Sequence, residues 1–436
     1  MNTKLVRVFA IALILVMALG PVAGAGAAGP PGGADLQPGA FAPGRILVKF
    51  QPGAASADKA SVHHGLGGKT VEVIEGIGVE IVSVPAGAEE ALAAAYARNP
   101  LVAYAEPDLV VYAAKRPTPT ATTAPTATPT PTPTPTPVLD PYFKDQWALE
   151  NTGQTGGTPD ADIDAPEAWD ISKGAGVVIA ILDTGMDLDH PDLRSKIVGS
   201  ADCTSLFRGC RANSPTAADR YGHGTHVAGI AAAVTDNGQG IAGVAPGALL
   251  LNVKVLGDDG TGYVSSIAKG LDWAVANGAK VVNMSFAGGP SQTEEDAVNR
   301  AWGAGAVLVA AAGNEGTDTP VYPAAYDKCI AVAATDNMDE KASFSNYGAW
   351  VELAAPGVDI ISTYPDNTYA WMSGTSMASP HVAGIAALVW ANGATGNYAV
   401  RSQIESTADY FTDAGTSWVY GRVNACKAVG GRCSLY

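Results

Sequence analysis

Five nearly continuous apolar runs dominate the second half of the chain: Val177 to Leu182, Leu249 to Val255, Val281 to Phe286, Ala306 to Ala311 and Ile330 to Ala334. Apolar runs without polar alternation mark strands covered on both faces, as in a parallel sheet flanked by helices. Helical patterns fall between them. Val264 to Asn277 sets Val264, Ile267, Leu271 and Val275 on one face and stops at Asn277-Gly278. The alternation points to an α/β fold with a doubly wound, mostly parallel sheet, spanning roughly 300 residues from Val138 onward. In such sheets, sites gather at the carboxyl ends of the strands.

The N-terminal part has a different organisation. Lys4 and Arg7 precede the twelve apolar residues Val8 to Leu19 and a small-residue stretch, Ala23 to Ala27, which reads as an export signal over residues 1–27. Twelve residues cannot span a bilayer, and no later segment looks transmembrane, so a secreted, extracellular protein without a membrane partner is expected. Residues 44–112 carry strand patterns at Arg45 to Phe50, Val79 to Val84, Leu101 to Tyr104 and Leu109 to Tyr112, with a helix at Glu89 to Arg98. They predict a small α+β domain. Pro117 to Pro137 is almost entirely Pro, Thr and Ala, an extended spacer that cannot build a core and marks a domain boundary.

With a net charge of -16 and no basic patch, a nucleic-acid partner is not expected. Among the five cysteines, local pairs Cys203 with Cys210 and Cys426 with Cys433 are the economical disulfides, leaving Cys329 as a buried small hydrophobe.

Several polar residues sit where elements end. Asp183 follows the first apolar run in Asp183-Thr184-Gly185; His223 opens Gly222-His223-Gly224-Thr225-His226-Val227-Ala228-Gly229; Asn314 follows the fourth run in Gly313-Asn314-Glu315-Gly316. Ser376 lies in Ser373-Gly374-Thr375-Ser376-Met377-Ala378-Ser379-Pro380-His381, directly before an Ala-rich helical stretch. Taken singly, Asp183 and Asn314 read as turn residues, His223 as structural, and Ser376 or Thr375 as a helix cap. A hydroxyl at a helix N-terminus is also well placed where negative charge develops. Their joint occurrence, each with glycine alongside, favours chemistry over four unrelated structural roles.

The three segments around Asp183, His223 and Ser376 resemble the active-site motifs of the subtilisin-like serine proteases, in that family's order, with the thermitase-like branch the nearest. The resemblance covers residues 138–430. It implies a serine endopeptidase in which Ser376 is the nucleophile, His223 the base, Asp183 its orienting acid, and Asn314 an oxyanion donor beside the Ser376 N–H. His226, the competing histidine, would be structural. Ser285-Phe286-Ala287-Gly288 and Gly260-Thr261-Gly262 resemble the two strands that bind an extended polypeptide substrate by strand addition, with Ala312 and Gly313 lining a primary pocket for apolar residues. Phe286 stands where the family has Leu and is as readily a core residue.

The same resemblance implies a structural Ca²⁺ site from Asp140, Asp192 and the loop residues Val234, Asp236, Asn237, Gln239 and Ile241, a set of carboxylate, amide and carbonyl oxygens. Asp236 and Asn237 read equally as turn residues. Residues 44–114 resemble the family's inhibitory propeptide, an intramolecular partner cut after Ala114, followed by the spacer 115–137 and the protease domain 138–436, expected as a monomer. A serine esterase would show a Gly-x-Ser-x-Gly elbow and the order Ser, acid, His, and neither is present. A non-catalytic binding protein on this fold would lack one of the four residues.

Overall fold

A computed structural model describes residues 39–113, 120–122, 140–205, 208–410 and 416–433. The export-signal segment and the expected cut after Ala114 lie outside the described residues. The N-terminal unit comprises β1 (Phe41–Phe50), α1 (Ser56–Leu66), β2 (Lys69–Ile74), β3 (Val79–Ser83), α2 (Glu89–Ala97) and β4 (Val102–Ala113). Its four strands lie antiparallel in the order β4-β1-β3-β2. Ile46, Val48, Phe50, Val82 and Tyr96 form its own core with the two helices.

This is the expected α+β unit with two additions and one merger. The helix α1 buries Val62 and His63 alone, and β2 is an edge strand that buries only Ile74, so neither shows a clear apolar period. The two separate strands expected at Leu101 and Leu109 are one strand of 12 residues. Glu106 and Asp108 interrupt its apolar pattern because their carboxylates bond the starts of two helices, at residues 291–293 and at Ser265.

From the spacer, β5 (Thr120–Thr122) is a short strand. The main domain follows with α3 (Ala165–Trp169), β6 (Val178–Asp183), β7 (Ile197–Asp202), β8 (Arg211–Ala212), α4 (His223–Ala232), β9 (Leu249–Lys254), β10 (Thr261–Tyr263), α5 (Val264–Ala276), β11 (Val281–Met284), β12 (Phe286–Gly288), α6 (Gln292–Gly303) and β13 (Val307–Ala311). It ends with β14 (Cys329–Thr335), β15 (Leu353–Pro356), β16 (Ile360–Tyr364), β17 (Thr368–Met372), α7 (Thr375–Ala391), α8 (Asn397–Ser406), β18 (Gly421–Arg422) and α9 (Ala425–Ala428).

Nine strands form the central sheet in the order β18-β15-β14-β13-β11-β6-β9-β7-β8, parallel except at the edge pair of β7 with β8. The period-2 alternation of each strand serves two cores. Ile179 and Ile181 of β6 face the cluster that holds α4 and α7, while Ala180 and Leu182 face the cluster that holds α5 and α6. Both faces are therefore apolar, which is why the five runs lack polar alternation.

Beyond β6 the chain first builds β7 and β9 to one side and then β11 onward to the other. The carboxyl ends of β6 and β11 thus flank the topological switch point, where such sheets open a crevice. The expected run Val281 to Phe286 breaks at Ser285 into β11 and β12. Cys203 pairs with Cys210, Cys426 pairs with Cys433, and Cys329 is a free, buried thiol whose burial raises its pKa well above the usual value.

Candidate active site

β6 ends on Asp183, and the turn after it packs under the first residue of α4, His223. Asp183 Oδ1 accepts the Thr184 N–H at 2.7 Å and lies 2.8 Å from His223 Nδ1, with both side chains buried. Close approach makes this pairing possible: a Cβ on Gly224 would stand 2.1 Å from the Gly185 carbonyl oxygen. The turn is held by Asp219, whose carboxylate accepts the N–H groups of Tyr221, Gly222 and Thr225 and the hydroxyls of Thr184 and Thr225. Asp219 is the residue that sequence reasoning missed. Its signal was an acidic side chain just ahead of a helix start.

His226, one turn further along α4, is placed differently. Its Nε2 faces the carbonyls of Ile360 and Ala370 at 3.1 and 2.9 Å, and burial presses its pKa down to about 3. The ring is a neutral donor to the β16–β17 hairpin.

Ser376 occupies the first turn of α7, where free N–H groups and the macrodipole favour negative charge. Pro380 lies inside this helix and has no N–H to offer the Ser376 carbonyl four residues back. Ser285 supplies the missing donor, its hydroxyl reaching Ser376 O at 2.9 Å, while Ser376 Oγ donates to Ser285 O at 3.1 Å. Asn314 stands beside the same turn. Its Oδ1 accepts the Thr375 N–H at 2.9 Å and the Thr375 hydroxyl at 3.0 Å, and Thr375 Oγ1 in turn accepts the Gly313 N–H at 3.1 Å. With Oδ1 fixed, the shielded Nδ2 is left without a hydrogen-bond partner among the described residues.

A peptide strand already lies in the cleft that these residues border. β4 of the N-terminal unit runs antiparallel between β10 and β12, pairing Tyr112 with Thr261, Val111 with Gly262 and Val110 with Tyr263 on one side. On the other side Ala113 pairs with Phe286, Tyr112 with Ala287 and Val111 with Gly288, and the Ala113 N–H donates to Gly260 O at 2.9 Å. Phe286 and Ala312 are fully buried. Farther along β4, Asp108 accepts the Ser265 N–H and hydroxyl at the start of α5 and pairs with Arg45 at 2.6 Å. Glu106 accepts the Ser291 hydroxyl and the N–H groups of Gln292 and Thr293 at the start of α6.

Residues 174–423 match the model of the subtilase family of peptidases, and residues 30–108 match that of the fervidolysin N-terminal prodomain. The chain belongs to the subtilase family. This subtilase is 51% identical over 268 residues to thermitase of Thermoactinomyces vulgaris, which covers 61% of this chain and 93% of thermitase. It is 41% identical over 394 residues to a thermophilic serine proteinase of a Bacillus species, covering 90% of this chain and 88% of that protein. A solved protease structure from Pseudoalteromonas arctica matches with a TM-score of 0.61 and 35% identity, covering 67% of this chain and 98% of the other. The protein is thus a subtilisin-like serine endopeptidase with a prodomain, on an α/β fold with a parallel central sheet.

The subtilase also assembles the residues expected to hold a cation. Asp140 accepts the N–H groups of Asp236 and Asn237 at 2.9 and 3.1 Å. Asp192 accepts the Asn237 side-chain amide, the Ile241 N–H and the Tyr369 hydroxyl at 2.8, 3.2 and 2.8 Å. The Val234 N–H donates to Asp192 O, and Gln239 N–H donates to Asn237 Oδ1. Burial raises the pKa of both carboxyls, and for Asp140 the neighbouring Asp192 charge adds to the effect. Among the described residues neither pairs with a lysine or arginine. No cluster of three or more His, Cys, Asp or Glu side chains suited to a metal occurs among the described residues. Here the two buried carboxylates accept N–H and O–H donors, and Asn237 turns its amide nitrogen to Asp192 and its amide oxygen to the Gln239 N–H. Two neighbouring buried acids without a cationic side chain are chemistry that a hard cation would neutralise. Among those residues, too, no helix is long and apolar enough to cross a membrane.

Proposed function

We propose that the subtilase is an exported, self-processing zymogen whose peptide hydrolysis runs through an acyl-enzyme on Ser376. Ser376 Oγ attacks the carbonyl carbon of the scissile bond and gives its proton to His223. Asp183 holds the imidazole in the tautomer that presents Nε2 and stabilises the cation that forms. Asn314 Nδ2 and the Ser376 N–H receive the oxyanion. The C–N bond then breaks, the leaving amine takes the proton from His223, and water hydrolyses the acyl-enzyme by the same route in reverse.

The observation that carries this reading is the position of β4. Ala113, the last described residue of β4, lies opposite Phe286, the neighbour of Ser285. A cut after Ala114 makes Ala113, Tyr112 and Val111 the second, third and fourth residues before the scissile bond. The N–H of the residue at the cut would take over Ser285 O from the Ser376 hydroxyl, freeing Oγ as substrate arrives. Ala312 and Gly313 leave room beside it for an apolar side chain, and the fully buried Val111 argues for a second apolar preference three residues upstream.

Asp140, Asp192 and Asn237, with oxygens from Val234, Asp236, Gln239 and Ile241, would hold Ca²⁺, which supplies a structural cross-link between the segment entering the domain and the loop after α4. The two disulfides and the charged, then apolar, start of the chain support export.

A fluorophosphonate that labels Ser376, together with casein hydrolysis and N-terminal sequencing, tests the proposal. Wild-type chain labels, digests casein and yields a new terminus after Ala114; Ser376→Ala does neither and stays uncut. Labelling elsewhere, or processing of the Ser376→Ala chain, would overturn it.

A further inference from the structure

The first turn of α6 carries a carboxyl group that neither substrate binding nor peptide cleavage uses. Glu294 is fully buried, and its Oε1 has no hydrogen-bond partner among the described residues. Its Oε2 lies 3.4 Å from the Tyr326 hydroxyl. That hydroxyl has one proton, and the proton is committed: it donates to Ser291 O at 2.8 Å while accepting the Ser291 N–H at 3.0 Å. A neutral Glu294 can donate its own proton to the remaining lone pair of Tyr326. An ionised Glu294 cannot, and competes with Ser291 O for the single tyrosine proton.

The prodomain holds the same turn. Glu106 takes the Ser291 hydroxyl at 2.7 Å and the N–H groups of Gln292 and Thr293 at 3.0 and 2.9 Å, so Ser291 belongs to both contacts. Ser291 Oγ also accepts the Glu294 N–H at 3.2 Å. Two carboxyl groups, one from the prodomain and one from the protease, are therefore linked through Ser291: Glu106 directly, and Glu294 by way of the Tyr326 hydroxyl. The titratable groups around Glu294 are Glu106 of β4, Tyr326 before β14, Cys329 of β14 and Glu295 of α6 itself. Among the described residues no lysine, arginine or histidine pairs with it.

We propose that the first turn of α6 is a proton-coupled latch: Glu106 stays docked on the turn while Glu294 beneath it is protonated, and ionisation of Glu294 loosens the dock. Burial, reinforced by the charge of Glu106, raises the Glu294 pKa to about 8, which puts the switch at mildly alkaline pH. Ionisation adds a negative charge within electrostatic reach of the Glu106 carboxylate, and it draws the Tyr326 proton away from Ser291. By reciprocity, departure of Glu106 eases ionisation of Glu294, so the release of the prodomain and of a proton reinforce each other.

The test uses the full chain carrying Ser376→Ala, which rests on the nucleophile assignment above. Mass spectrometry first confirms that it is uncut; a cut chain would refute that assignment and not the latch. Amide hydrogen exchange is then followed at Gln292 and Thr293 between about pH 6 and about pH 9.5, corrected for intrinsic rates. Protection falls about tenfold or more as pH rises in Ser376→Ala and stays flat when Glu294→Gln or Glu294→Leu is added, the two variants guarding against a defect peculiar to either; thermal melting verifies that each folds. The Ser265 amide, held by Asp108, stays flat throughout. Flat protection at Gln292 and Thr293 in the parent, or the same fall in both Glu294 variants, would overturn the latch.

Discussion

Ser285 and Ser376 exchange two hydrogen bonds, each hydroxyl donating to the other residue's carbonyl at 2.9 and 3.1 Å. The exchange exists because Pro380 has no N–H for Ser376 O. It ties the break between β11 and β12 to the start of α7, fixing the cleft wall relative to the candidate nucleophile.

Removing the Ser285 hydroxyl should therefore strand a buried carbonyl. Ser285→Ala is expected to cost about 1–3 kcal/mol of stability. Adding Pro380→Ala returns a helical N–H to Ser376 O and should recover most of that loss. Thermal melts of both variants in the Ser376→Ala background, which removes autolysis, check this; a double variant no more stable than Ser285→Ala would refute it.

Asn314→Ala should lower turnover by about a hundredfold to a thousandfold, the size seen when a side-chain oxyanion donor is removed from another subtilisin. Binding of the ground-state substrate should change little, because Nδ2 has no hydrogen-bond partner among the described residues and is kept for the oxyanion. Steady-state kinetics separate the two effects. An unchanged kcat would take Asn314 out of the site.

The buried Glu294 gives stability a pH dependence of definite sign. Its pKa is raised to about 8 in the folded chain, whereas the unfolded chain releases this proton near the ordinary value of 4.5. The folded state thus binds the extra proton between those limits, and stability falls as pH rises through that window and then levels off. Glu294→Gln should leave melting unchanged near pH 4, raise it progressively up to pH 8, and hold a constant gain above, on the order of a few kcal/mol. Calorimetry of the uncut Ser376→Ala chain across this range would expose a gain that is absent or independent of pH.

Calcium should stabilise the fold. Chelation is expected to lower the melting temperature, and Asp192→Asn should remove most of the calcium dependence by neutralising a fully buried ligand. Equal melting with calcium and with chelator in the wild-type sequence would rule out the site.

The strands β6, β9, β13 and β14 were legible in the sequence because both of their faces are apolar, a property that needs no knowledge of neighbours. The helix α5 was legible through its stripe of Val264, Ile267 and Leu271 and its Asn277-Gly278 stop. By contrast α1 and β2 bury so few side chains that their pattern resembles a loop. Asp219 passed unnoticed because its five acceptor contacts depend on how the turns after β6 and before α4 fold together.

The sequence by itself determined the α/β class and the presence of an N-terminal prodomain, and it pointed to Asp183, His223, Asn314 and Ser376 as the proposed machinery, since each rests on local pattern or on motifs of a few residues. Tertiary structure alone decided the rest. It turned Ser285 and Ser376 into a reciprocal pair 91 residues apart, and it set Glu106 of the prodomain on a helix start 185 residues away. Glu294, an ordinary first-turn glutamate in the sequence, became a buried acid because the fold brought Tyr326 against it and left its other carboxyl oxygen shielded. Hydrogen bonding and desolvation act on distance in space, and separation along the chain carries no measure of that distance.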